Sequence, residues 1–137
     1  MSPIASLDPF HENAGPEGLF RVHEDSGEQF MEKPKQYGVL MTTVGNKDDA
    51  LTIAKALLAE KLAACVQLMP IESCYTWKGA VANDSEILLL IKTKTALFDE
   101  AIGAVKNLHP YETPEIVATA FTAGFANYFA WIDDVTK

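Results

Sequence analysis

Basic clusters are missing from this 137-residue chain. Eleven Lys and Arg stand against 19 Asp and Glu, a formal charge of −8. The densest basic stretch is Lys33-Pro34-Lys35. Without a basic face, little counterion release is available on a phosphate backbone, so nucleic acid is not an expected partner. Anionic membrane surfaces are disfavoured for the same reason. No apolar run approaches the roughly 20 residues that span a bilayer. The first nine residues, MSPIASLDP, hold neither a charged n-region nor an apolar core, and the first basic residue is Arg21. A cytosolic location is therefore expected. There are only two cysteines, Cys65 and Cys74, too few for a disulfide framework. In an extended strand they would lie roughly 30 Å apart, although a bend at Pro70 could shorten that, and two reduced thiols are favoured. Several catalytic signatures are also missing: a phosphate-binding Gly-rich loop, H-E-x-x-H, C-x-x-C and a nucleophile elbow.

What is present divides into two regions. Residues 1–36 carry seven acids against Arg21, Lys33 and Lys35, together with four of the seven prolines and three of the eight glycines. This reads as a weakly structured acidic arm, in which only Leu19-Phe20-Arg21-Val22-His23 could add as a strand to a sheet edge. His11 and His23 lie among acids there without ligand spacing.

Residues 37–137 read as one domain. A β-type run over 37–44 is broken by Gly45-Asn46. Asn46 is a helix N-cap, followed by Asp48 and Asp49 in the first turn and by Ala50, Ile53, Ala54 and Leu57 at helical spacing, to about Leu62. A strand over 64–68 is interrupted at Pro70 and resumes over 73–77. Lys78-Gly79 is a two-residue hairpin turn, and a long strand returns from Ala80 to about Lys94 with a bulge near Asn83-Asp84. Thr95 caps a second helix with Phe98, Ala101, Ile102 and Val105 inward, ending near Asn107 before Pro110. A fourth strand spans 115–122. Tyr128, Trp131, Ile132 and Val135 then mark a terminal helix. The order βαββαβ plus a helix defines an α+β, ferredoxin-like sandwich with a long β-hairpin.

That sandwich has one open face. Ile87-Leu88-Leu89-Leu90-Ile91 is apolar at both parities, as are Val39, Leu40 and Met41, so both faces of the sheet need cover. Two helices cover only one. Leaving such side chains half exposed would cost several kcal/mol at roughly 1.5–3 kcal/mol each. Other subunits, or the tail or third helix of the same chain, could supply the cover. The first is favoured, with Trp77, Ile87, Leu89 and Ile91 as interface residues.

Five segments carry a family resemblance: AKALLAEKLAACV (54–66), SCYTWKG (73–79), EILLLIKT (86–93), HPYETPEI (109–116) and YFAWI (128–132). In this order they resemble the CutA divalent-ion tolerance family over essentially the whole region from 37 to 133. The resemblance implies a homotrimer with three sheets packed around an axis. It also implies a non-enzymatic binding or regulatory role in divalent metal tolerance, with intersubunit clefts similar to those of PII signalling proteins. In some relatives the position of Thr42 is a cysteine implicated in copper binding; Thr42 is not a soft ligand. His109 and Glu115 match positions linked to metal, with Glu112 nearby. Weak binding of Cu(II) or a similar divalent ion is the expectation, with no obligatory cofactor. His109 has a second reading, a histidine that answers a helix C-terminus. Thr42, Lys92, Tyr111, Tyr128 and Trp131 are assigned to an intersubunit cleft, where Lys92 could meet a small anionic ligand or simply snorkel. Two alternatives remain: a trimeric scaffold or PII-like small-ligand module without metal chemistry and, ranked last, an enzyme using His109, Tyr111 and Glu112.

Overall fold

The computed structural model describes residues 36–137. The arm read from the sequence, including the fragment at 19–23, lies outside the described residues. Four strands, β1 (Tyr37–Val44), β2 (Cys65–Trp77), β3 (Ala80–Lys94) and β4 (Ile116–Ala120), form one antiparallel sheet in the order β2-β3-β1-β4. Helix α1 (Lys47–Ala59) links β1 to β2. Helix α2 (Phe98–Leu108) links β3 to β4, and α3 (Ala126–Val135) follows. Because β1 and β2 both run antiparallel to β3, each βα unit crosses over one intervening strand. The architecture is α+β.

Local chemistry sets the first helix. The Asn46 Oδ1 accepts the Asp49 N–H at 2.8 Å, which satisfies one of the orphan donors of the first turn. Ala50, Ile53, Ala54 and Leu57 are buried on one stripe. The helix ends at Ala59, short of the expected Leu62, because Lys61 turns into the left-handed region at φ +58°. The Lys61 N–H then reaches the Leu58 carbonyl at 3.1 Å, and the Leu62 N–H reaches the Leu57 carbonyl at 2.9 Å. This is a Schellman close with Lys where glycine is usual, and Leu62 folds back into the core.

Three other expectations are corrected. Strand β2 is not interrupted at Pro70, which sits in register opposite Ile87. β2 is an edge strand, where a residue without an N–H is tolerated. No bulge interrupts β3, whose register with β2 is constant from Cys65↔Lys92 to Trp77↔Ala80. Thr95 makes no cap: Thr95–Leu97 is a 3-10 turn leading into α2, which has no side-chain cap bond. The hairpin turn is as read, with Lys78 and Gly79 at φ +50° and +81°, the type I′ geometry that matches strand twist. β4 is shorter than expected. It runs close against Gly38, where a Cβ would lie 2.4 Å from the Thr119 carbonyl and 2.7 Å from the Phe98 ring.

The main core lies between the sheet and α1 and α2. Leu40, Val44, Ile53, Leu57, Ala101 and Val105 meet Leu89 and Ile91 there. Leu89 and Ile91 are 0% exposed, so these two are core residues of the single chain and not interface residues, while Ile87 is half-buried beside the same core. The register puts the even-numbered residues of β3 on the second face. Leu88 stands opposite Thr43 and Met69, and Leu90 opposite Met41 and Gln67. Helix α3 covers one end of that face, where Phe129, Trp131 and Ile132 pack on Tyr37 and Ala64 with Cys65 and Tyr128 alongside. Toward the edges the face is open: Met69 is 47% and Val117 48% exposed. Beyond Val44↔Ile87, the β2–β3 hairpin has no further partner strand among the described residues and projects as a two-stranded ribbon.

Candidate functional site

Polar groups collect at the two ends of the sheet. At the ribbon end, His109 follows the last residue of α2 and is buried. Its Nε2 lies 2.8 Å from the Thr43 carbonyl, and its Nδ1 accepts the Tyr111 backbone N–H at 3.1 Å. A carbonyl can only accept, so Nε2 carries the proton, and the one ring lone pair is occupied by Tyr111. The Tyr111 ring leans on the imidazole at 4.8 Å. Its hydroxyl donates to Glu86 Oε2 at 2.8 Å, and burial together with Glu86 pushes the phenol up to about 12. Beside it Tyr75 donates to Asp84, and Ser85 to Glu72 at 2.6 Å. Glu72, Ser85 and Glu86 line an open cavity of about 310 Å³ with Gly45, Pro70, Ile71 and Ile87.

At the other end, the Lys92 Nζ donates to the Gln67 Oε1 at 2.5 Å. Cys65 stands opposite Lys92 in register, with its thiol pushed up by burial and drawn partly back by that ammonium. Tyr128 is pushed up to about 12, chiefly by burial and further by Cys65. Trp131 is buried with its ring 5.8 Å from Tyr128, and its Nε1 finds no acceptor among the described residues. Tyr37 stacks on Phe129 at 4.4 Å and donates to Asp133 at 2.6 Å, fixing α3 to β1.

Within one copy, the residues assigned to an intersubunit cleft fall in separate places. Lys92, Tyr128 and Trp131 lie at the α3 end and Tyr111 at the ribbon end. Thr42 is in neither: it is 0% exposed, on the helix side of β1 between Leu40 and Val44. Trp77 stands 55% exposed at the hairpin tip, with the Lys78 ammonium 5.8 Å above its ring. Glu112 and Glu115 are exposed, and among the described residues no group of three or more His, Cys, Asp or Glu side chains could hold a metal ion. With His109 committed at both nitrogens and Thr42 sealed in the core, the donor set does not fit a copper site within one copy. Sequence reasoning missed Tyr75, Asp84, Glu86 and Gln67. The available signal was their shared parity on paired strands. Both cysteines are free. No helix of the described residues is long and apolar enough to cross a membrane.

Fold and site together define a class: a two-layer α+β protein with a half-covered sheet, polar at both ends, and a projecting hairpin. The CutA1 divalent ion tolerance protein model matches residues 38–135, and the chain belongs to that family. It is 46% identical over 99 residues to the divalent-cation tolerance protein CutA of Thermus thermophilus, covering 72% of this chain and 96% of that protein. It is 38% identical over 114 residues to the human protein CutA, covering 82% of this chain and 63% of the human one. The chain thus spans less than two thirds of the length of that relative. The crystal structure of CutA1 from Oryza sativa superposes with a TM-score of 0.72 at 40% identity, over 74% of this chain and 94% of the rice chain.

Proposed function

We propose that this chain acts in divalent-cation tolerance as a homotrimeric binding protein of ferredoxin-like fold, with its ion or ligand sites formed between copies and no catalysis of its own. The observation that carries this reading is the second sheet face. Leu88, Leu90, Val39 and Met41 form an apolar strip that α3 covers at one end only, while the hairpin projects past the chain's own sheet. A strip of this kind is stabilised by a second copy. A divalent ion bound by the protein would be held weakly, by exposed carboxylates such as Glu112 and Glu115 completed from a neighbouring subunit. His109 shapes the loop that carries them. Its bond to the Thr43 carbonyl ties residues 109–115 to β1.

The experiment is a calorimetric titration of the metal-free protein with Cu(II) and Zn(II), with mass in solution measured on the same sample. A trimer that takes up ions saturably, and loses that binding in Glu112→Gln/Glu115→Gln, supports the reading. A trimer with unchanged binding in that double variant removes these carboxylates from the site. A monomer overturns the assembly and the intersubunit site together.

A further inference from the structure

On the second face, β3 presents Asp84, Glu86, Leu88, Leu90, Lys92 and Lys94 in succession, since alternate residues of a strand share a face. The strip is acidic at one end, apolar in the middle and basic at the other, over about 33 Å at roughly 3.3 Å per residue. The acidic end lies on the projecting ribbon beyond the last β1 pair, Val44↔Ile87. The basic end lies at the part of the sheet that α3 covers.

Among the described residues, neither end is paired with an opposite charge. There the Glu86 and Asp84 carboxylates accept the neutral phenols of Tyr111 and Tyr75, which hold them in place without cancelling their charge. Lys92 donates to the neutral amide of Gln67. Gln67 and Tyr111 thus pre-orient two opposite charges, each half-buried on one face and some six residues apart along one strand.

We propose that, where copies meet, the Glu86 carboxylate on the ribbon of one copy pairs with the Lys92 ammonium of the next. This rests on the assembly reading above and adds the pair that fixes its register. A contact between different surfaces generates a closed ring where the rotation allows it. Like charges would meet if a copy docked in the opposite sense, and that repulsion selects against wrong registers. The anion expected at Lys92 is then a carboxylate of a second copy.

The test is a charge-reversal cycle read by sedimentation and native mass spectrometry on the full chain. Lys92→Glu and Glu86→Lys should each raise the concentration at which half the assembly dissociates by about tenfold or more. The double variant should return it to within a few-fold of the parent. Lys92→Gln and Glu86→Gln, milder changes to be checked for folding by circular dichroism, should weaken assembly less and flatten its salt dependence. A parent that assembles while every single variant dissociates as it does would overturn the pairing and leave the assembly reading standing. Weakened single variants without rescue in the double would also overturn it. A monomeric parent would overturn both.

Discussion

Thr42 and Thr93 are the most direct test of the core as described. Both are 0% exposed, both lie on the helix side of the sheet, and neither Oγ1 has a hydrogen-bond partner among the described residues. A buried hydroxyl without a partner forgoes its bond to water and costs about 1–3 kcal/mol. Valine has nearly the same shape and an equal preference for strands, so Thr→Val removes the penalty with little change in packing or propensity. Thr42 faces Leu89 across the β1–β3 ladder, while Thr93 faces Gly38. The two sites are four residues apart along β1, about 13 Å, beyond the range at which neighbouring substitutions couple. We expect Thr42→Val and Thr93→Val each to stabilise the protein by about 1 kcal/mol and the double variant by about 2 kcal/mol. Urea unfolding followed by circular dichroism at one fixed protein concentration reads this, since assembly shifts apparent stability by mass action. A loss of more than about 0.5 kcal/mol in either variant would mean that the hydroxyl has a partner, and the account of the core at that point would fail.

Two further outcomes follow from local geometry. Lys61→Gly should stabilise by about 0.5 kcal/mol, because φ +58° strains any residue with a Cβ by roughly 1–2 kcal/mol, partly offset by glycine's freer unfolded chain; equal or lower stability in the same urea titration would refute it. Tyr111 and Tyr128 each have a folded pKa of about 12 against an ordinary 10.0, so the stability they contribute is fully present below pH 10 and is lost as pH rises from about 10 to 12. Stability followed across that window should fall, with a shallower fall in Tyr111→Phe and Tyr128→Phe; a parent whose stability is flat there would sink the assignment.

Most of the fold was legible because period and punctuation agree along this chain. Asn46 before an i, i+3, i+4, i+7 stripe marks a helix start whose cap bond is present. Lys78-Gly79 marks a turn whose two positive φ values are present. The errors arose where a long-range fact decides a local one. Pro70 reads as a break until β2 is known to be an edge. Asn83-Asp84 reads as a bulge until Cys74 and Tyr75 are seen to hold those side chains in an unbroken register. Lys61 gives no sign of a left-handed close, because the residue usual there is glycine.

The site was less legible, for one physical reason: a run apolar at both parities conceals which parity faces inward. Residues 87–91 could present either Ile87, Leu89 and Ile91 or Leu88 and Leu90 to the helices, and hydropathy alone does not choose. The register of β3 against β1 chooses, by setting Leu89 opposite Thr42 and Ile91 opposite Leu40 on the helix side. The choice then propagates along the strand. Once Leu89 faces in, Leu88 and Leu90 face out, and the charges sharing their parity, Asp84, Glu86, Lys92 and Lys94, must lie on that same outer face. Apolar residues that could not fix the register thereby place the charged residues that could direct an assembly. His109 shows the same logic at a single residue. Its type and spacing fit a ligand, and only the Thr43 carbonyl and the Tyr111 N–H, brought to it by β1 and the loop after α2, show both nitrogens in use. A residue's chemistry is open in sequence and is fixed by its neighbours across strands. In this chain the neighbours assign His109 to holding a loop and leave the outer face of β3 as a surface whose charges meet no opposite charge among the described residues.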